Sequence, residues 1–321
     1  MHFWIVCAGC AKRWASGGLA LRKIHGMTPE PPITFVDHAG HHCLKLSTVH
    51  GSALVSLHGG HLLSWVPLGG RDVLWLSPAA LPEPAAIRGG VPICWPWFAK
   101  EGMPEGAMQH GPVRNALWSL MAVHAAGQEA VDVELSPAPE LVLNGPMAHT
   151  NGLKVALRIR LGQSLVQELT TSNKRDKPFV LTQAMHTYFA VGDVEKVSVH
   201  GLDGARYKSR LELHEVRTQV GPVTTGLACD STFVQTQGPR TYQYALVDPA
   251  WQRTIQIETS GSQSMVVWNP GQLGAQSMAD VPSVAWRDFL CVETANAADD
   301  RVHLEPGASH TLRQLLRCVG E

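Results

Sequence analysis

At 321 residues the chain can hold one large all-β domain or two ordinary ones, and it is long enough to bury a substantial core. A composition of 45% apolar and 17% charged residues with a net charge of −1 is that of a soluble globular protein, and 26 basic against 27 acidic residues leave no excess to attract a nucleic acid. The seven cysteines are odd in number and scattered, which excludes a disulfide framework, and no run of about 18 apolar residues exists to span a membrane; a reducing, cytoplasmic setting is expected.

Residues 1–30 read differently from the rest. Phe3–Cys10 is apolar but short, and no positively charged run precedes it, so it is not read as a signal peptide. Cys7 and Cys10 have CxxC spacing, but no second pair completes a zinc site. This stretch is expected to be an extension, flexible or arising from an upstream start, and residues 31–321 a single domain.

From Ile33 onward the sequence reads as strand after strand. Short apolar runs occur at Ala53–Leu57, Val73–Leu76, Val131–Leu135, Leu153–Leu161, Ser164–Thr171, Val197–His200, Thr254–Glu258, Met265–Trp268 and Phe289–Glu293. Leu153–Leu161 places an apolar residue at every second position, the period of a half-buried strand. With 30 Gly and 21 Pro punctuating the runs and no capped amphipathic helix, the expected class is all-β, a large antiparallel two-sheet β-sandwich.

Three places interrupt apolar, aromatic stretches with polar residues. In Ile87–Phe98, two glycines allow close backbone approach, Trp95, Trp97 and Phe98 offer aromatic walls for a sugar ring or simply core packing, and Arg88 requires an anionic or hydrogen-bonding partner. Gln109–Asn115 places Gln109, His110 and Arg114 around a Gly-Pro turn, where Arg88 and Arg114 together suit a phosphate, although such a loop is often merely solvated. The third is a separated acid/base pair. His186 and Glu293 are each expected at the end of a strand, where a His and a carboxylate suit the two proton transfers of sugar-ring opening. By spacing alone, His186 is equally well read as a satisfied core histidine. His38, His41 and His42 resemble a metal site by count, but only Asp37 accompanies them in a turn region, and no metal is expected there. P-loop, GxGxxG and GxSxG motifs are absent.

These segments, with Gly59–Trp65, Val73–Ser77, Trp268–Gly271 and Cys291–Thr294 in the same order, resemble the glucose-6-phosphate 1-epimerase (D-hexose-6-phosphate mutarotase) family of the aldose-1-epimerase superfamily, over roughly residues 35–318. The resemblance implies a galactose-mutarotase-like supersandwich that needs no metal or organic cofactor and acts on a small-molecule sugar phosphate as a monomer. It makes His186 the acid at the ring oxygen and Glu293 the base at the anomeric hydroxyl. It also makes Arg88, Gln109, His110, Arg114 and Asp230 substrate-binding residues. Two departures stand out: Asp230 lacks the usual aspartate-arginine-aromatic surroundings, and Pro112 replaces the family's phenylalanine. The alternatives are an aldose 1-epimerase acting on unphosphorylated hexoses, a non-catalytic sugar-binding sandwich, and a glycosidase using Glu293 with Asp230.

Overall fold

A computed structural model describes residues 32–138, 150–212, 215–226, 228–235 and 241–320. Residues 1–30, with the CxxC pair, lie outside the described residues.

Two eight-stranded antiparallel sheets form the body. The first runs in the order Val216–Thr218, Arg206–Ser209, Cys229–Val234, Ser264–Asn269, Phe289–Asn296, Gln183–Met185, Ile93–Cys94, with Tyr188–Ala190 also paired to Phe289–Asn296. The second runs Ser198–His200, Thr241–Asp248, Arg253–Ser260, Ser309–Val319, Leu165–Asn173, Leu153–Leu161, Ala130–Pro137, Trp118–Ala126. A four-stranded sheet, Ile33–His38 to His61–Pro67, and a two-stranded one, Phe179–Leu181 with Val302–Leu304, complete it.

The all-β sandwich expectation holds. Leu153–Leu161 forms a strand over those same residues, its odd positions buried and its even ones more open. The segment Val73–Leu76 is the exception. It forms isolated bridges from Leu74 to Phe189 and from Leu76 to Gly89, because the amides of Val73, Trp75 and the following Ser77 bond in turn to the carbonyls of Trp65, Tyr188 and Arg88, on different segments. Buried apolar side chains are thus threaded between neighbours rather than laid along one ladder.

The first sheet's inner strands are buried on both faces, so they do not alternate. Every residue of Phe289–Asn296 is buried. One face meets the second sheet, where Trp95 Nε1 donates to Thr171 Oγ1 at 2.9 Å and Thr294 Oγ1 to Gln314 Oε1 at 3.2 Å. The other face carries the candidate site.

Candidate active site

Strand pairing sets the floor of the site. Asp230 is opposite Trp268, Trp268 opposite Cys291, and Val266 opposite Glu293, so these side chains share one face of the sheet. Glu293 is therefore delivered from the middle of a strand, which corrects the expectation of a strand end: Thr294–Asn296 continue it by pairing with Gln183–Met185. His186 does lie at a strand end, between Gln183–Met185 and Tyr188–Ala190. Over this floor is a cleft of about 650 Å³ lined by Arg88, Gln109, His110, Arg114, His186, Asp230 and Glu293. All seven site residues expected from sequence meet there.

The glycines of the Arg88 segment have a different task from the one expected. At Gly89 (φ +107°) and Gly90 (φ +58°) a Cβ would collide with the carbonyl oxygens of Trp75 and Leu62, so they admit neighbouring backbone, not a ligand. The aromatic walls also differ. Trp95 and Trp97 are buried, and Trp97 donates to the Met108 carbonyl; Phe98 and Trp268 line the cleft instead. Pro112 opens the 3-10 turn Val113–Asn115 that carries Arg114.

Partnerships among the site residues are uneven. Arg88 donates through Nε to Asp280 (2.9 Å) and through a terminal nitrogen to the Tyr188 hydroxyl (2.9 Å). Arg210 pairs with Asp230 at 3.1 Å. His110 Nδ1 accepts the Ala99 amide (3.3 Å), which leaves Nε2–H as a donor. Nε2 of His186 lies 3.4 Å from Oε1 of Glu293. Among the described residues, Nδ1 of His186, Oε2 of Glu293 and Nε of Arg114 are buried with no hydrogen-bond partner. Unpartnered buried polar atoms are rare in folded proteins, and their gathering on residues that line the cleft marks a functional site.

The electrostatics favour neutral forms. Burial, then His110, Arg88 and Arg114, push His186 well below the usual imidazole range. Burial, then Asp230, push Glu293 well above the usual carboxyl range, against the pull of Arg210. His110 is pushed down to about 3 by burial and by Arg114, Arg210 and Arg88. The buried pair can thus hold one proton on the carboxyl with little charge, and transfer between two groups in contact is short.

Sequence reasoning missed Arg210, Tyr188 and Asp280. None stood in a polar cluster; Tyr188 reads as one more aromatic of an apolar run, yet its ring stacks on His186 at 5.0 Å. The histidine cluster is split: His42 bonds Asp37 on the surface while His41 is buried against Glu83. Among the described residues no group of three or more His, Cys, Asp or Glu is arranged to hold a metal, and no helix is long and apolar enough to cross a membrane. A second cleft, about 550 Å³, contains Arg158, Arg160 and Arg313, each already paired with a carboxylate.

Comparison with known proteins places this architecture. The family model described as aldose 1-epimerase matches residues 42–317. An inferred glucose-6-phosphate 1-epimerase from Escherichia coli strain K12 is 34% identical over 269 residues, 82% of this chain and 86% of the relative. Another from Cenchrus ciliaris is 33% identical over 279 residues, 83% and 81% of the two chains. The crystal structure of an inferred mutarotase from Salmonella typhimurium superposes with a TM-score of 0.79 at 26% identity, covering 92% of this chain and 96% of that one. With a family match across the sheets and the cleft, the chain belongs to the aldose 1-epimerase family.

Proposed function

We propose that the chain interconverts the α and β anomers of a hexose 6-phosphate, glucose 6-phosphate foremost, by acid/base ring opening and closure. One observation carries this reading. The ring oxygen and the anomeric hydroxyl oxygen of a pyranose are bonded to the same carbon, so the acid and the base must be neighbours, as His186 Nε2 and Glu293 Oε1 are at 3.4 Å.

In this reading the shared proton first passes from Glu293 to His186 across their contact; His186 then gives it to the ring oxygen while the ionised Glu293 takes the proton of the anomeric hydroxyl. The bond between C1 and the ring oxygen breaks, leaving an aldehyde and a C5 hydroxyl. The pair is then neutral, the form that burial favours. Rotation about C1–C2 presents the other carbonyl face. Glu293 returns its proton to the carbonyl oxygen as the C5 hydroxyl attacks C1, and His186 takes the hydroxyl proton.

Arg114 is the guanidinium best placed to pair with the 6-phosphate, since it lines the cleft with no carboxylate partner among the described residues, whereas Arg88 and Arg210 already contact Asp280 and Asp230. Gln109, His110 and Asp230 remain for the sugar hydroxyls, with Trp268 and Phe98 as apolar walls. The five described cysteines form no disulfide with one another, as a cytoplasmic setting allows.

The test is anomer exchange of glucose 6-phosphate followed by NMR, with and without protein. Faster exchange than for free glucose is expected. Equal acceleration of both sugars would rule out phosphate recognition, and acceleration of neither would rule out the enzyme.

A further inference from the structure

Proton transfer at this site needs a fixed separation of two side chains, yet the backbone beside them is not held by a regular ladder. Gln183–Met185 pairs with Thr294–Asn296, and Tyr188–Ala190 pairs with Phe289–Cys291, in one continuous register. Between those stretches the His186 amide pairs on the strand's other edge, with the Pro92 carbonyl, as the ladder there requires, but the Thr187 amide bonds back to Met185 instead of crossing to Val292. The link across to the neighbouring strand is the Val292 amide on the Thr187 carbonyl, at 3.2 Å.

We propose that Gln314 is the positioning residue that substitutes for the missing ladder hydrogen bond and sets the His186–Glu293 separation. It stands on Ser309–Val319 in the opposite sheet. Its Oε1 accepts hydrogen bonds from Thr187 Oγ1 and from Thr294 Oγ1, both at 3.2 Å. These threonines directly follow His186 and Glu293 in the chain. Successive strand residues face opposite ways, so Glu293 faces the cleft while Thr294 faces the layer between the sheets. One carboxamide oxygen therefore holds the back of both proton-carrying segments.

Gln314 is itself anchored. Its Nε2 donates to Oε1 of Gln167, its cross-strand partner, at 2.8 Å. Thr187, Thr294, Gln167 and Gln314 are all inaccessible to water. A slip that parts Thr294 from Gln314 would leave its hydroxyl buried without a partner, which is costly, while Thr187 Oγ1 would fall back on the Met185 carbonyl at 3.4 Å; the shared acceptor thus resists motion of one segment relative to the other, chiefly through Thr294. The network touches none of Arg88, Gln109, Arg114 or Asp230. Its loss therefore acts on the proton pair and not on substrate capture.

The catalytic consequence rests on the mutarotase reading, but the positional one does not, and the experiment separates them. Thr294→Val removes one donor while keeping the shape, Thr294→Ser restores the hydroxyl, and Gln314→Met removes the shared acceptor. In substrate-free protein, the His186 imidazole ¹⁵N and Glu293 carboxyl ¹³C signals are expected to move in Thr294→Val and Gln314→Met, and to stay near the parent in Thr294→Ser. For glucose 6-phosphate, kcat is expected to fall roughly 10- to 100-fold in the first two with KM within about twofold, the size of loss that misplacement of a reacting group produces. Unmoved signals in folded Thr294→Val overturn the proposal, as do equal losses in Thr294→Val and Thr294→Ser. Should Gln314→Met not fold, the two Thr294 variants decide alone. Should the parent protein fail to accelerate anomer exchange, the mutarotase reading falls, and the spectra still decide whether Gln314 holds the pair.

Discussion

Oε1 of Glu293 lies 3.4 Å from Nε2 of His186 at the fifth position of a strand whose every residue is buried. A carboxyl there has few reasons to persist for stability, because burying it works against its ionised form. Glu293→Gln is expected to lower kcat for anomer exchange by about 10²-fold or more, with little change in shape. Stability should respond in the other direction. The carboxyl binds its proton more tightly folded than unfolded, so its stabilising contribution is present below the ordinary value of 4.5 and is lost as pH rises. Thermal melting of the two proteins at several pH values should show Glu293→Gln gaining on the parent between pH 4.5 and 7.

Arg114 should govern the choice between phosphorylated and free sugars. Its Nε has no partner among the described residues, whereas Arg88 is held by Asp280 and Tyr188. A charge-assisted hydrogen bond is worth roughly 1.5–3 kcal/mol, which is about a 10- to 100-fold change in affinity. On the reading proposed above, Arg114→Met lowers kcat/KM for glucose 6-phosphate by that factor and leaves the slow exchange of glucose nearly untouched. Parallel losses for both sugars would assign Arg114 to the sugar ring instead.

Much of this was legible in the sequence because strand period and turn residues are local signals. Leu153–Leu161 alternates and is a strand. Val73–Leu76 looked the same and is not, since its bonding partners lie on separate segments, a tertiary fact. The site residues were reached through ordered motifs rather than through spacing, for His186 and Glu293 are 107 positions apart and only sheet register makes them neighbours. Glu293 read as a strand end because the next residues, Thr294-Ala295-Asn296, are polar or small. Their partners, Gln314, Gln183 and His310, lie in other strands, so a buried polar layer looked like a turn. Arg210 had no signal at all: its role comes from the turn just past Arg206–Ser209, where its amide and guanidinium both reach Asp230 on the neighbouring strand.

The loop bearing Gln109 and His110 depends on one glycine. Gly111 has φ +72°, and a Cβ there would sit 1.8 Å from the Trp95 carbonyl oxygen. Gly111→Ala must therefore move the backbone, and should destabilise by more than about 2 kcal/mol, the sum of left-handed strain and overpacking. Gly106 is the control: its φ is +75°, but a Cβ would meet nothing within 4 Å. Gly106→Ala should cost about 1 kcal/mol from backbone strain alone. Urea denaturation measures both, and KM should rise only in Gly111→Ala; equal effects would show that the contact with Trp95 is readily relieved.

Acid sensitivity should trace in large part to His61. This side chain is buried, and its Nε2–H donates to the Gly89 carbonyl at 2.7 Å. Burial first, then the charges of His58, His41 and Arg114, push it from 6.5 down to about 3. Protonation would add a charge and a second N–H donor to a closed space. The unfolded chain therefore binds a proton that the folded one refuses throughout the window from about pH 6.5 to about pH 3. Stability is complete above that window and falls as pH drops through it, by at most about 1.4 kcal/mol per pH unit for this one group. His61→Gln keeps a donor for the Gly89 carbonyl but cannot titrate. Chemical denaturation between pH 7 and pH 4 should show the variant less stable than the parent at pH 7, yet with a visibly flatter slope. Parallel slopes would mean that His110 and His186, also pushed down by burial, carry the acid response instead.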